Sequence, residues 1–148
     1  CTPLKTCWVE WEHHFSLPAS TKHGYRSLSN RITQEQGVDV LLWHGSKKEV
    51  LEASYGNLFS IVNGCIYTHP ANGTILDGVG RRTLLHVARR IGLEVFEEPV
   101  CMDQGNWWMT SALRSLQRLD VSTDDSCIPV LREEIGRFLL SSTDALRA

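Results

Sequence analysis

A mixed α/β fold is predicted by three features of this chain. Between residues 38 and 68, short apolar runs alternate with turn residues, among them Asn63-Gly64, as in strands joined by tight hairpins. Two stretches, 81–91 and 128–140, carry apolar residues at helical spacing. With 148 residues, 42% hydrophobic and 22% charged, the chain can form one globular domain with its own core.

Residues 1–20 are aromatic-rich (Trp8, Trp11, Phe15) but weakly patterned. The stretch from Trp8 to Trp11 fits a short strand or a helix, and Pro18 and Ser20 mark a loop. A helix is predicted over Ser27–Gln36, with Leu28 and Ile32 on one face and Gly37 ending it. Val38–Trp43 is a nearly continuous apolar run, the mark of a strand covered on both faces. After the polar turn at 44–48, Glu49–Ala53 forms its hairpin partner. Asn57–Val62 and Cys65–Thr68 make the next hairpin, with Tyr55 and Tyr67 as packing residues. The turn Gly78-Val79-Gly80 opens a helix over Arg81–Ile91, with Leu84, Leu85, Val87, Ala88 and Ile91 inward. Gly92 stops it. Leu93–Pro99 alternates as an edge or half-buried strand. A strand follows over Arg114–Leu119, then a polar linker over 121–127. A last helix spans Ile128–Leu140, with Pro129 in its first turn and Ile128, Leu131, Ile135, Phe138 and Leu139 on one stripe. The tail beyond it is expected to fray.

Composition excludes several classes of function. The formal net charge of -2 implies no polyanion partner. No apolar run approaches the roughly 20 residues that span a bilayer, and no signal peptide is visible. The first residue is Cys1 rather than Met, as in a processed or truncated product. The five cysteines (Cys1, Cys7, Cys65, Cys101, Cys127) are odd in number and contain no Cys-x-x-Cys pair. They therefore read as reduced thiols in a cytoplasmic or organellar interior, not as a disulfide framework or zinc ribbon. His13, His14 and Cys7 match no standard metal spacing, so no metal site is expected.

Chemistry concentrates between Leu51 and Ile91. Glu52 ends one extended run, and after two further runs Gly78-Val79-Gly80 opens a helix. A helix N-terminus presents unpaired N–H groups and the positive end of its dipole, so it holds anions. Glycines there let backbone approach a ligand closely. A carboxylate and a helix N-terminus on one sheet suit a ligand with a basic ring nitrogen at one end and a phosphate at the other. Taken singly, these features have a plainer reading: glycine before a helix is a common cap, and an acid at a strand end is usually solvated.

The combined string is more specific. Glu52-Ala-Ser-Tyr-Gly-Asn57-Leu-Phe59, Thr68-His-Pro70 and Ile75-Leu76-Asp-Gly78-Val-Gly80-Arg81 resemble the class IV (fold-type IV) aminotransferase family from about Thr21 to Leu119. That family uses pyridoxal 5'-phosphate (PLP) and includes branched-chain and D-amino-acid transaminases and aminodeoxychorismate lyase. The resemblance implies the pseudobarrel large domain over 21–148, with 1–20 the remnant of an interdomain segment and the small domain missing. It implies that Lys22 is the catalytic lysine that bonds the cofactor aldehyde, although most lysines are merely exposed. A lysine does this only when deprotonated, which burial or a neighbouring cation favours. It implies that Glu52 holds the ring nitrogen, and that Leu76 packs on the ring face. Val79, Gly80, Thr110 and Ser111 then hold the phosphate. Asn57 has a structural role beside the cofactor, and Arg81 alone of the arginine pair falls on a family position.

The chain departs from the family at several points. The interval from Lys22 to Glu52 is a few residues short, as a loop deletion would produce. Gly80 stands where the family has Thr, and Ala112 where transaminases carry a hydroxyl. The family's final glycine-rich segment is not recognisable. The implied reaction is amino-group transfer between amino and oxo acids. Lys22-His23, Arg26 and Ala112 favour the alternative, pyruvate elimination from aminodeoxychorismate. The missing domain and lost hydroxyls favour a non-catalytic homologue. The implied partners are a small amino-acid or amino-chorismate substrate and a second copy of the chain, as a homodimer.

Overall fold

The computed structural model describes residues 2–11, 26–111 and 116–147. Eight strands and three helices occur among them. β1 (Thr6–Glu10) runs parallel to β2 (Val40–His44), and the helix α1 (Arg26–Gln36) lies between them in sequence. β3 (Val50–Ala53), β4 (Gly56–Val62) and β5 (Cys65–Tyr67) continue as an antiparallel meander. The helix α2 (Val79–Arg90) then leads to β6 (Glu94–Phe96), parallel to β5. β7 (Trp107–Thr110) pairs with the other edge of β4, because Asn57 faces both Glu52 and Thr110. β8 (Gln117–Arg118) pairs with β7, and α3 (Ile128–Arg147) closes the described chain.

The sheet curls back on itself. Leu119, just past β8, bridges Leu4, just before β1. Leu4 N–H donates to the Arg118 carbonyl at 3.1 Å, and Asp120 N–H to the Leu4 carbonyl at 2.8 Å. The circuit β1-β2-β3-β4-β7-β8-β1 is thereby closed, as a pseudobarrel requires. The N-terminal strand β1 takes part in this circuit.

Side chains sort by face. Val40, Leu42, Ala53, Leu58, Met109 and Leu119 meet inside the curl. Leu41, Trp43 and Leu51 point outward to Ile32 of α1. β2 is apolar at consecutive positions because both its faces are covered. A second outer cluster joins Phe59, Ile61, Ile66 and Trp108 to Leu84, Leu85 and Ala88 of α2 and to Leu131 and Ile135 of α3. Each such aliphatic side chain stabilises the fold by about 1.5–3 kcal/mol through burial. Tyr67 stacks on Phe96 at 4.9 Å, holding β6 to β5.

The turn chemistry follows the residues. Asn63 and Gly64 both take positive φ (50° and 76°), as a two-residue hairpin turn demands. Gly92, at φ 87°, ends α2: its N–H reaches the Arg89 carbonyl, and Leu93 N–H the Ala88 carbonyl. Two helix bounds differ from expectation. α2 begins at Val79, so Val79 and Gly80 belong to its first turn rather than to the turn before it. α3 runs on to Arg147 instead of ending at Leu140, since no Gly or Pro follows Gly136 to stop it. Leu139 is 44% exposed, not inward: one position past Phe138, it rolls off the stripe.

Cys7, Cys65, Cys101 and Cys127 are free thiols. Burial, reinforced by the Asp125 carboxylate, pushes the Cys127 thiol up to about 12. No helix among the described residues is long and apolar enough to cross a membrane.

Candidate functional site

Three facing residues on adjacent strands make the floor of the site. Glu52 on β3 pairs with Asn57 on β4, which pairs with Thr110 on β7. A bulge falls at Leu51–Glu52: Leu42 and His44 of β2 face Ala53 and Val50, so β3 carries one extra residue. Bulges re-aim side chains at the rims of curled sheets. Gly56 allows the floor to close, since a Cβ there would lie 2.3 Å from the Thr110 carbonyl oxygen.

The segment after β5 crosses this floor. Leu76 is gripped at both backbone polar groups. Its N–H donates to Glu52 Oε2 at 3.1 Å, and its carbonyl accepts from Asn57 Nδ2 at 2.8 Å. Asn57 is 5% exposed, so its amide is fixed by packing as well. Gly78 sits against that amide, where an added Cβ would lie 2.6 Å from Asn57 Oδ1. At Gly80 a Cβ would lie 2.7 Å from the Ser111 carbonyl oxygen and 3.3 Å from Thr110 Cβ. The first turn of α2 therefore rests directly on the end of β7.

That helix end is open. Its N-cap is Gly78, with no side-chain cap and no acidic residue in the first turn. The first N–H groups of a helix have no intrahelical partner. Beside them the Thr110 hydroxyl is buried and makes no hydrogen bond among the described residues. An orphan buried hydroxyl next to unpaired N–H groups forms a donor set for anionic oxygens. The Glu52 carboxylate stands along the same floor and offers the opposite charge.

Glu52, Leu76, Val79, Gly80, Thr110 and Ser111 are thus brought to one neighbourhood. Val79 is 57% exposed, so its N–H rather than its side chain is what it can offer. Lys22 and Ala112 lie outside the described residues.

Arginines on a helix are usually solvated, but Arg81 is 3% exposed. It donates to Asp77 Oδ1 at 3.1 Å, Glu97 Oε1 at 2.7 Å and the His69 carbonyl at 3.1 Å. Arg89, two turns on, reaches the other Glu97 oxygen at 3.2 Å. Helical spacing puts position 81 one turn before the buried pair Leu84 and Leu85, on the inward side. That was the available signal, and the charge concealed it.

The hydrogen-bonded Arg81 guanidinium holds the Glu97 carboxyl below its usual range, outweighing the opposite effect of partial burial. A depressed carboxyl stabilises the fold above its unfolded-state pKa, and the contribution is lost as pH falls through the folded value. Glu97→Gln is therefore expected to lower stability by about 1 kcal/mol at neutral pH. It should also flatten the decline in urea midpoint below the ordinary carboxylate range. Urea titrations at a series of pH values compare the two chains.

Comparison with known proteins places this arrangement. The family model described as "Amino-transferase class IV" matches residues 16–120. Branched-chain-amino-acid aminotransferase 2 of Bacillus subtilis (strain 168) is 31% identical over 90 residues, 58% of this chain and 25% of that protein. A branched-chain aminotransferase from Thermoproteus uzoniensis, solved with norvaline, superposes with a TM-score of 0.79 at 17% identity. The match covers 94% of this chain and 52% of that one. A protein from Mycobacterium tuberculosis described as a hypothetical aminotransferase, in its PLP-bound form, superposes with a TM-score of 0.74 at 16% identity, over 95% of this chain and 56% of that one. This chain thus spans about a quarter of its curated relative and about half of each solved structure. By the extent of the family match and by its fold, the chain is a member of the class IV aminotransferase family.

Proposed function

We propose that this chain binds pyridoxal 5'-phosphate across the Glu52–Asn57–Thr110 floor and serves amino-group transfer between amino and oxo acids. One observation carries the reading: an uncapped helix end and an unpartnered buried hydroxyl stand beside a row that contains a carboxylate. The residues present fit the cofactor. Val79 and Gly80 N–H groups, with Thr110 and Ser111, hold its phosphate. Glu52 holds the ring nitrogen, and the Leu76 N–H steadies the Glu52 carboxylate. Leu76 packs on the ring face. When bound, the cofactor draws electrons from the substrate's alpha carbon. Lys22 supplies the amine that tethers it and moves the proton at that carbon.

In this reading residues 21–148, together with β1, form the cofactor-binding domain. The enzyme is a soluble homodimer in a cytoplasmic or organellar interior, and its substrates are small amino and oxo acids. Branched-chain amino acids, named for the Bacillus relative, are the first pair to assay. Pyruvate elimination from aminodeoxychorismate is the second reading, favoured by Ala112 in place of a hydroxyl and by Lys22-His23.

Titration of the purified chain with pyridoxal phosphate tests the proposal. A new absorption band at roughly 410–420 nm is expected, lost in Lys22→Ala and weakened in Glu52→Ala. A folded chain that gives no band overturns it and leaves the non-catalytic homologue. Given a band, pyruvate release from aminodeoxychorismate separates lyase from transaminase.

A further inference from the structure

Asp77 stands directly before the Gly78 N-cap of α2, with its side chain 46% exposed. A carboxylate so placed is attracted to the first-turn N–H groups by the same charge that would draw any other anion. Yet the helix has no side-chain cap. The Asp77 Oδ1 atom is engaged by Arg81 Nη1 instead, at 3.1 Å. Arg81 is anchored on its other side by Glu97 and the His69 carbonyl, through Nη2. Its side chain is 4% exposed, and packing holds it where it lies.

We infer that Arg81 is a positioning residue that holds the Asp77 carboxylate off the open end of α2, leaving those N–H groups for the phosphate of a ligand. A second feature points to a ligand there: the Thr110 hydroxyl, in a residue 1% exposed, makes no hydrogen bond among the described residues. Gly80 packs against the end of β7 at Thr110 and Ser111, which puts the hydroxyl beside the same helix turn. Without Arg81, Asp77 becomes a built-in competitor. It repels a phosphate and is itself able to cap the helix. The inference rests on the phosphate assignment proposed above.

The test measures equilibrium binding of pyridoxal phosphate, of pyridoxal and of inorganic phosphate. Pyridoxal has the same ring and aldehyde without the phosphate. Four chains are compared: the natural one, Arg81→Gln, Asp77→Asn and the double variant. Arg81→Gln is expected to weaken pyridoxal phosphate and inorganic phosphate on the order of tenfold, while pyridoxal changes by less than about twofold. Adding Asp77→Asn should restore phosphate affinity to within about twofold of the natural chain. Asp77→Asn alone should bind as tightly or more tightly.

Equal losses for pyridoxal and pyridoxal phosphate in Arg81→Gln would overturn the inference, as would failure of the double variant to recover. If Arg81→Gln does not fold, weaker binding by Asp77→Asn alone overturns it, because Asp77 would then be helping the ligand. Binding by the natural chain with no change in Arg81→Gln rejects this inference and spares the cofactor assignment. A natural chain that binds none of the probes rejects both.

Discussion

Trp108→Ala is expected to destabilise the fold by about 3–5 kcal/mol, a large share of the roughly 5–15 kcal/mol that holds a typical domain together. Trp108 is fully buried at the centre of β7. It faces Phe59 of β4 on one side and Arg118 of β8 on the other. Its ring joins the outer cluster that ties the sheet to α2 and α3. The Arg118 and Arg132 guanidinium carbons stand 5.6 and 5.3 Å from the ring centroid, each within cation–π range. Both arginines have other duties: Arg118 pairs with Asp124, and Arg132 donates to the Leu116 carbonyl at 3.3 Å. Alanine therefore opens a cavity and also removes the surface on which two cations rest. Trp108→Phe should cost less, about 1–2 kcal/mol. The indole N–H has no partner among the described residues, so no hydrogen bond to them is lost with it. Urea denaturation followed by far-ultraviolet circular dichroism measures both. A loss under about 1.5 kcal/mol for Trp108→Ala would contradict the packing described.

What could be read in advance divides by the range of the interactions. Asn63-Gly64 and Gly92 announce their turns because one or two residues fix the backbone there. The apolar run of β2 was legible because covering both faces leaves no polar position. Nothing near Leu4 or Leu119 shows that they meet across the whole chain, because closure of the circuit is a property of all its strands together. The bulge at Leu51–Glu52 was likewise invisible, since it exists only as a mismatch between two strands. The floor residues drew attention through their resemblance to a known string, while their common row came from register. The burial of Arg81 was not legible, because it depends on acids four and sixteen residues away and on a carbonyl before the helix. Single-residue tendencies place an arginine outside until its partners are known.

Gly80→Ala is expected to act against the ordinary rule for helices. Inside a helix, replacing glycine by alanine normally stabilises by about 0.5–1 kcal/mol. Gly136 in α3 is such a position: an added Cβ there meets nothing within 4 Å, and Gly136→Ala should raise the urea midpoint accordingly. At Gly80 the same methyl would lie 2.7 Å from the Ser111 carbonyl oxygen, and backbone cannot turn aside as a side-chain tip can. Either the first turn of α2 lifts or the end of β7 gives way, at about 1–3 kcal/mol net. The lift also moves the Val79 and Gly80 N–H groups relative to Thr110. Affinity for pyridoxal phosphate should then fall at least roughly tenfold in Gly80→Ala and stay unchanged in Gly136→Ala. The close approach accounts for the absent hydroxyl too: Gly80→Thr, which restores the family's residue, should clash as alanine does and regain no affinity. Were Gly80→Ala to raise the urea midpoint as Gly136→Ala does, the contact between the helix start and β7 would not be as tight as described, and the phosphate assignment would lose its geometric basis.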